Sequence, residues 1–173
     1  MADFNIAVAI TMDDNHEGGF QNNPNDKGNW TGGAIGKGVL KGTKYGISAA
    51  QFPNLDIENL SKEEAAQIYS SKYWNPLYSQ IAEQDIANKL FDLGVPFGPK
   101  TAVLQMQTAL KNSWPATLDG VFGPITLNQI NNSEPKSLML AFKTAFVSHA
   151  IAVGANNPAE RPFVSGWIRR INL

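Results

Sequence analysis

The chain has 173 residues, which is enough to bury a sizeable core in one domain, or in one lobe joined to a smaller second lobe. Its 43% hydrophobic and 17% charged residues are typical of a folded protein and exclude an intrinsically disordered chain. The net charge of -1 excludes a global field that would attract nucleic acid or an anionic membrane, and the absence of cysteine excludes disulfides, thiolate metal sites and cysteine nucleophiles.

The N-terminal segment predicts a helix. Apolar residues recur at three-to-four spacing from Phe4 to Thr11, and the pattern ends near His16, where Gly18 and Gly19 supply a stop. The segment has no basic leader and so does not resemble a secretory signal, and no apolar run in the sequence approaches the roughly 20 residues that span a bilayer. We therefore expect a chain that is synthesised as a soluble protein in the cytoplasm.

The next segment, from Gly18 to Gly42, is predicted to form a long loop with a small β-hairpin. It is rich in glycine, asparagine, proline and aspartate, and it has turn signals at Asn23-Pro24 and Gly32-Gly33. Short β-like pieces lie around Trp30 and Val39-Leu40. We expect this loop to be ordered because aromatic side chains can anchor it.

The rest of the chain is predicted to be helical. Ser61 followed by Glu64 is a capping box that opens a helix, which continues to Trp74 and ends at Asn75-Pro76. Further helices are predicted from about Gln84 to Leu93, Thr101 to Leu110, Ile125 to Ile130 and Leu138 to Val153, and a loop and a short tail from Trp167 to Ile171 follow them. The glycines and prolines from Gly94 to Pro99 predict a break, which is the best candidate for a lobe boundary.

Glu17 is the most informative position for chemistry. A carboxyl at the C-terminal end of a helix lies at the negative end of the helix dipole, which disfavours the ionised form. If nearby aromatic residues also exclude water, the pKa of Glu17 rises further. Such a carboxyl suits a general acid near neutral pH, like the one that protonates the leaving oxygen in a glycosidase. On position alone, the commoner case is a solvated glutamate at a helix end.

Three ordered blocks of sequence carry a family resemblance. They are Glu17-Gly18-Gly19-Phe20, Asn22-Asn23-Pro24-Asn25-Asp26-Lys27-Gly28 and Gly42-Thr43-Lys44-Tyr45-Gly46-Ile47-Ser48. In this order they resemble glycoside hydrolase family 108, the bacterial and phage N-acetylmuramidases, whose signature is close to E-G-G-aromatic, N-x-P-x-D-x-G and G-x-T-x-Y-G-I-T/S. The resemblance covers mostly residues 5–80. It implies that Glu17 is the catalytic acid and that the enzyme cleaves the β-1,4 bond between N-acetylmuramic acid and N-acetylglucosamine.

Two features of this sequence depart from the family pattern. The usual Gly-Gly after the aspartate is Gly28-Asn29 here, and an extra stretch, roughly Trp30 to Lys41, precedes the third block. The insertion leaves the distance between Asp26 and Thr43 open.

We assign Asp26 and Thr43 to the catalytic set with Glu17, and Tyr45, Tyr73 and Trp74 to substrate binding. A glycosidase needs a second group that acts as nucleophile or as base for water, and Asp26 is the leading carboxylate. Alternatively, Asp26 caps its own turn, as an aspartate in this setting commonly does. Thr43 and Tyr45 are candidates for bonding the sugar or positioning a water, and Tyr45 alternatively anchors the hairpin. The aromatic residues have a structural alternative too, since large aromatics are more often core than platform.

The second half has its own resemblance. The segments Leu104-Gln105-Met106-Gln107-Thr108-Ala109-Leu110 and Asp119-Gly120-Val121-Phe122-Gly123-Pro124-Ile125-Thr126 are similar to peptidoglycan-binding modules that have L-Q-x-x-L followed by D-G-x-F-G-x-x-T. In such modules the Asp-Gly turn and the helix after it are partly architectural. The segment therefore either binds cell wall or completes the fold of the enzyme.

Metal and cofactor chemistry finds no support in the sequence. His16 and His149 are the only histidines, and the H-E-x-x-H pattern is absent. His149, on an apolar helical stripe, is expected to be a core histidine. We expect no metal and no organic cofactor, because acid and base chemistry suffices for glycoside hydrolysis.

These observations together predict a mainly α, lysozyme-like α+β fold with a small β-hairpin beside the active site. Residues 1–93 are predicted to form the muramidase catalytic lobe, and residues 94–173 a helical, peptidoglycan-binding-like lobe packed on it. The alternative is a non-catalytic wall-binding or structural protein on the same scaffold. We expect a monomer that acts on peptidoglycan glycan strands, with no nucleic-acid or membrane partner. It would reach the wall or periplasm by holin-type release or through a secretion system.

Overall fold

The computed structural model describes residues 1–12, 19–111 and 118–173 of the chain. Its helices are α1 (Phe4–Thr11), α2 (Lys62–Tyr73), α3 (Gln84–Phe97), α4 (Pro99–Leu110), α5 (Pro124–Asn131), α6 (Pro135–Asn156) and α7 (Val164–Asn172), with short 3-10 helices at Lys27–Asn29, Pro76–Gln80 and Arg161–Phe163. Strands β1 (Thr43–Lys44) and β2 (Ile47–Ser48) form an antiparallel hairpin. The predicted mainly α architecture with a small hairpin is confirmed.

The chain divides into two compact units. The helical unit contains Met1–Ala7 and Tyr73–Leu173, and the hairpin unit contains Val8–Lys72. The predicted boundary at residues 93 and 94 lies inside α3. The assignment of catalysis and wall binding to two lobes remains a prediction.

Helix α6 is the centre of the helical unit. Leu138, Phe142, Phe146 and Ala150 recur at helical spacing on its buried face, and α4 and α7 pack against it. Contrary to the sequence-based expectation, α6 is long and apolar enough to cross a membrane by length and composition alone. One face of the helix packs into the core of the helical unit.

The predicted break between Gly94 and Pro99 is wrong over most of its length. Helix α3 continues through Pro96 to Phe97, and only Gly98, at φ +85°, separates it from α4. The Phe97 ring lies 5.1 Å from that of Phe146. The packing of this partly buried apolar ring favours helix over the local breaking tendency of glycine and proline, so tertiary packing overrides propensity.

In the hairpin unit, the predicted start of helix α2 at Ser61 is confirmed, and the β-hairpin lies later in the chain than predicted. The Ser61 hydroxyl accepts from the Glu64 backbone N–H at 3.1 Å, while the Glu64 carboxylate accepts from the Ser61 backbone N–H at 2.9 Å. Around Trp30 the predicted strands reduce to one isolated bridge to Leu40. The glycines between these residues favour turns over extended pairing, and the hairpin itself forms later, at β1 and β2.

Candidate active site

Glu17 lies outside the described residues, so the structure places the other candidates. Asp26 and Thr43 belong to one hydrogen-bond network in the hairpin unit, through Gln21 and Asn29. The Gln21 side-chain amide donates to Asp26 Oδ2 at 3.2 Å and to Asn29 Oδ1 at 3.0 Å. The Thr43 hydroxyl donates to the same Asn29 oxygen at 2.7 Å. The structure therefore brings the second carboxylate and the threonine of the catalytic set together.

Asn29 is the centre of this network and is completely buried, at 0% exposure. Its amide nitrogen donates to Gln21 Oε1 at 2.8 Å and to the Asn23 carbonyl oxygen at 2.9 Å. The backbone carbonyl oxygen of Asn29 accepts from the backbone N–H groups of Lys41 and Gly42 at 2.9 and 3.1 Å. A buried amide with its donors and acceptors paired fixes its surroundings, because leaving any partner unsatisfied is costly.

The insertion from Trp30 to Lys41 does not separate Asp26 from Thr43. It is closed at its base by the Trp30–Leu40 bridge and by the bonds from Lys41 and Gly42 to Asn29. The chain thus leaves and re-enters the site at Asn29. The sequence left open how far Asp26 lies from Thr43. In the structure the inserted residues form a loop closed at its base, and Thr43, which follows that loop, donates a hydrogen bond to Asn29.

Asp26 also caps its own turn, which was the structural alternative. Its Oδ1 accepts from the Gly28 backbone N–H at 2.8 Å, at the start of the 3-10 helix Lys27–Asn29. Each carboxylate oxygen thus receives one N–H donor, from Gly28 and from Gln21, while the residue stays exposed. Capping and chemistry are compatible, since each oxygen of an ionised carboxylate accepts more than one bond.

Tyr45 occupies a strained turn. It has φ +50° and Gly46 has φ +73°, as in the type I′ turn of a two-residue hairpin loop. Asparagine or glycine normally fills the first of these positions, and a bulky side chain there is a genuine outlier. The Tyr45 carbonyl accepts from the buried Tyr69 hydroxyl at 2.7 Å, and the Lys44 and Lys62 ammonium groups lie 5.5 and 5.8 Å from its ring centroid. The ring is half-buried.

Tyr73 and Trp74 belong to the helical unit. The Trp74 ring packs edge-on against Phe4, Tyr78 and Phe91, with centroids 5.3 to 5.6 Å apart. Its indole nitrogen donates to the Ser79 hydroxyl at 3.3 Å. These contacts pack the partly buried Trp74 against the core of the helical unit, and its role in substrate binding remains a prediction.

Tyr73 has a half-buried side chain. Burial raises the pKa of its phenol. It therefore stays a neutral hydrogen-bonding group over the physiological pH range.

The peptidoglycan-binding-like segment has an internal role. The buried Gln107 side chain donates to Asp119 Oδ1 at 2.8 Å and accepts from the Gly120 backbone N–H at 2.9 Å. Gly120 has φ +71°, and a Cβ there would lie 2.6 Å from the Lys100 side chain. The Phe122 ring lies edge-on against Tyr78 at 4.7 Å. The residues shared with wall-binding modules thus build the turn at Asp119 and Gly120 that precedes α5.

Sequence reasoning did not assign Gln21 or Asn29 to the site. Asn29 was visible as a departure from the family pattern, but a polar residue in a loop is ordinarily exposed, and nothing in its spacing signals full burial. Among the described residues, no group of three histidine or acidic side chains is placed to hold a metal ion.

The comparisons with known proteins concern the family and the fold of the chain. A family model described as Glycosyl hydrolase 108 matches residues 11–98. The solved structure of Brucella abortus SagA is similar over 98% of this chain and 89% of that chain, with a TM-score of 0.72 and 22% identity, which shows the fold. The predicted lysozyme-like α+β fold is confirmed. No curated protein matches the sequence. Because the family match covers more than half of the 173 residues, the chain belongs to glycosyl hydrolase family 108, a membership that implies a peptidoglycan hydrolase.

Proposed function

We propose that the protein is an N-acetylmuramidase that cleaves the β-1,4 bond between N-acetylmuramic acid and N-acetylglucosamine. Glu17 is the general acid of this proposal. It lies within the residues that the family model matches, and it opens the first of the three blocks. General acid catalysis by a carboxyl is the common means by which glycosidases protonate the leaving oxygen.

The observation that carries the proposal is the shared network of Asp26 and Thr43. Gln21 and Asn29 connect these two residues across an insertion, so two elements far apart in sequence converge on one place. A cap alone would need only the bond that the Gly28 backbone N–H donates to the Asp26 carboxylate. The second bond, from Gln21, holds the carboxylate in a fixed orientation, as a preorganised catalytic group requires.

In this mechanism, Glu17 donates its proton to the glycosidic oxygen as the bond to the anomeric carbon breaks. Asp26 then either takes a proton from the attacking water, or stabilises the positive charge on the sugar ring while the Glu17 carboxylate, now ionised, takes that proton. Thr43 and Tyr45 contact the sugar or that water. The water's remaining hydroxyl adds to the anomeric carbon, which leaves a new reducing end.

Product analysis tests the proposed bond. Purified peptidoglycan is digested, the products are reduced with borohydride, and the released muropeptides are identified by mass spectrometry. A muramidase leaves reduced N-acetylmuramic acid at the new ends. Reduced N-acetylglucosamine would instead show cleavage of the other glycosidic bond, and new amino groups would show a peptidase or amidase; either result contradicts the proposal. Binding without products would favour the non-catalytic alternative.

A further inference from the structure

We propose that Asn29 is a positioning residue that sets the hydrogen-bond polarity of the site, so that the Thr43 hydroxyl faces the reaction as an acceptor only. This inference rests on the proposed function. It assigns a role to the residue at which the sequence departs from the family pattern, where asparagine takes the place of a glycine.

The direction of every bond around Asn29 follows from groups with only one possible role. The Asn23 carbonyl oxygen can only accept, so the Asn29 atom 2.9 Å away is the amide nitrogen. The other terminal atom of Asn29 is therefore the oxygen, which accepts. Since the Thr43 hydroxyl bonds that oxygen at 2.7 Å, the hydroxyl must donate its proton to it.

The orientation of Gln21 is determined by the same reasoning. The Asn23 backbone N–H can only donate, and it donates to Gln21 Oε1 at 3.0 Å. The other end of this amide is thus the nitrogen, and it points to Asp26 Oδ2 at 3.2 Å. Gln21 and Asn29 bond each other reciprocally, at 2.8 and 3.0 Å, so neither amide can flip without opposing like groups.

The consequence for chemistry lies in the Thr43 hydroxyl. A hydroxyl has one proton to donate and two lone pairs to accept with. With its proton committed to Asn29, Thr43 binds a partner only by accepting, which suits the O–H of a water molecule or of a sugar hydroxyl. In the same network the Gln21 amide donates to one Asp26 oxygen. The Thr43 hydroxyl, which would accept from the water, and the Asp26 carboxylate are therefore both oriented through the buried side chain of Asn29.

A double-mutant cycle tests whether Asn29 acts through Thr43. Initial rates on soluble, uncross-linked glycan strands give kcat and KM for the wild type, Thr43→Val, Asn29→Ala and the double variant. We expect Thr43→Val to lower kcat on the order of 100-fold, with a smaller change in KM. Without the Thr43 hydroxyl, the water or sugar hydroxyl that it would bind is no longer held in position. In the Asn29→Ala background the same change should cost less than about threefold, because the two residues act as a unit.

Asn29→Gln is the conservative control, because its side chain keeps an oxygen that can accept from Thr43 and an amide nitrogen that can donate to the Asn23 carbonyl oxygen. In this background Thr43→Val should again cost nearly its full factor. If Thr43→Val costs the same factor in Asn29→Ala as in the wild type, Asn29 is only structural and the inference is wrong. If Glu17→Gln remains fully active, the proposed function fails and this inference with it; if Glu17→Gln is inactive and the cycle is additive, only this inference fails.

A second measurement needs no folded variant of Asn29. In the ¹⁵N-labelled wild type, the side-chain NH₂ protons of Asn29 should exchange with solvent far more slowly than those of the exposed Asn25. Equal exchange at the two residues would show that the network does not hold in solution, and would overturn the inference whether or not Asn29→Ala folds.

Discussion

The Thr43 hydroxyl donates a hydrogen bond of 2.7 Å to the side-chain oxygen of Asn29, which is completely buried. This bond joins the third family block to Asn29, the residue directly after the second block, across the inserted residues. Because Asn29 also bonds Gln21, and Gln21 bonds Asp26, the geometry of the candidate site depends on one buried amide.

Replacing Asp26 with serine should separate capping from catalysis. A serine still accepts from the Gly28 N–H as a cap, so we expect the free energy of unfolding to change by less than about 1 kcal/mol. The rate of peptidoglycan hydrolysis should fall by at least about 100-fold, because serine supplies no carboxylate. Urea unfolding and reducing-end assays measure the two effects. Asn23→Ser, at a neighbouring turn-forming residue, is the control; full activity of Asp26→Ser would reduce Asp26 to a cap.

Replacing Tyr45 with asparagine should preserve the hairpin and weaken substrate binding. Asparagine suits the positive φ of this position, which offsets the lost contacts of the ring with Lys44 and Lys62. We expect the melting temperature to stay within a few degrees and KM for glycan strands to rise severalfold. Unchanged kinetics in a stable variant would leave the ring as a hairpin anchor only.

The sequence predicted the elements whose signals are local. The Ser61–Glu64 capping box is confirmed because both of its bonds lie within one turn of the chain. The hairpin was predicted, but around Trp30 and not at Thr43, because a positive φ at Tyr45 contradicts the usual residue preferences of such turns. The residue types around Tyr45 therefore gave no sign of the turn that the structure shows there.

Long-range packing accounts for what the sequence missed. Helix α3 runs through Pro96 because Phe97 is packed against α6, which no local rule anticipates. Asn29 looked like an incidental loop residue, since its burial depends on partners that the chain supplies both before and after it. For the candidate site, the residue types of the blocks pointed to Asp26 and Thr43, and their connection required the structure.

Breaking the buried ion pair of the helical unit should destabilise the protein strongly. Asp92 Oδ1 lies 2.9 Å from the Arg170 guanidinium, and Oδ2 lies 3.3 Å from the Lys89 ammonium, so the carboxylate connects α3 to α7. Burial lowers the pKa of Lys89 even though Asp92 opposes that shift. Asp92→Leu should cost about 3 kcal/mol in urea unfolding, because it leaves cations without their counter-charge in a buried site.

The matched control for that loss is the double variant Asp92→Leu with Arg170→Met. Removing the charges of Asp92 and Arg170 together should cost less than removing that of Asp92 alone, since only Lys89 then remains without its counter-charge. A double variant that is less stable than Asp92→Leu would contradict this account of the pair.

His149 should make the protein less stable as the pH falls. Its ring lies against Phe97 and Phe146, with centroids 6.4 and 6.2 Å away, and burial lowers its pKa below the ordinary value. Below the ordinary pKa of about 6.5, the unfolded chain takes up a proton that the folded protein resists. The free energy of unfolding therefore decreases from there until the pH passes the lowered pKa.

Urea unfolding at pH values between about 7.5 and 5 measures this effect. His149→Gln should remove part of the decline, because it has no proton to take up in this range. An identical decline in the wild type and in His149→Gln would show that other groups are responsible.

The central claim is that Glu17 is the acid of a muramidase, and Glu17→Gln tests it most directly. Glutamine keeps the size of the side chain but cannot donate the proton, so we expect the clearance of purified peptidoglycan and the release of reduced muramic ends to fall by at least about 100-fold, with unfolding and wall binding unchanged. Glu63→Gln, at an exposed glutamate of α2, is the matched control and should remain fully active. If Glu17→Gln clears walls as fast as Glu63→Gln, the account of the active site is contradicted.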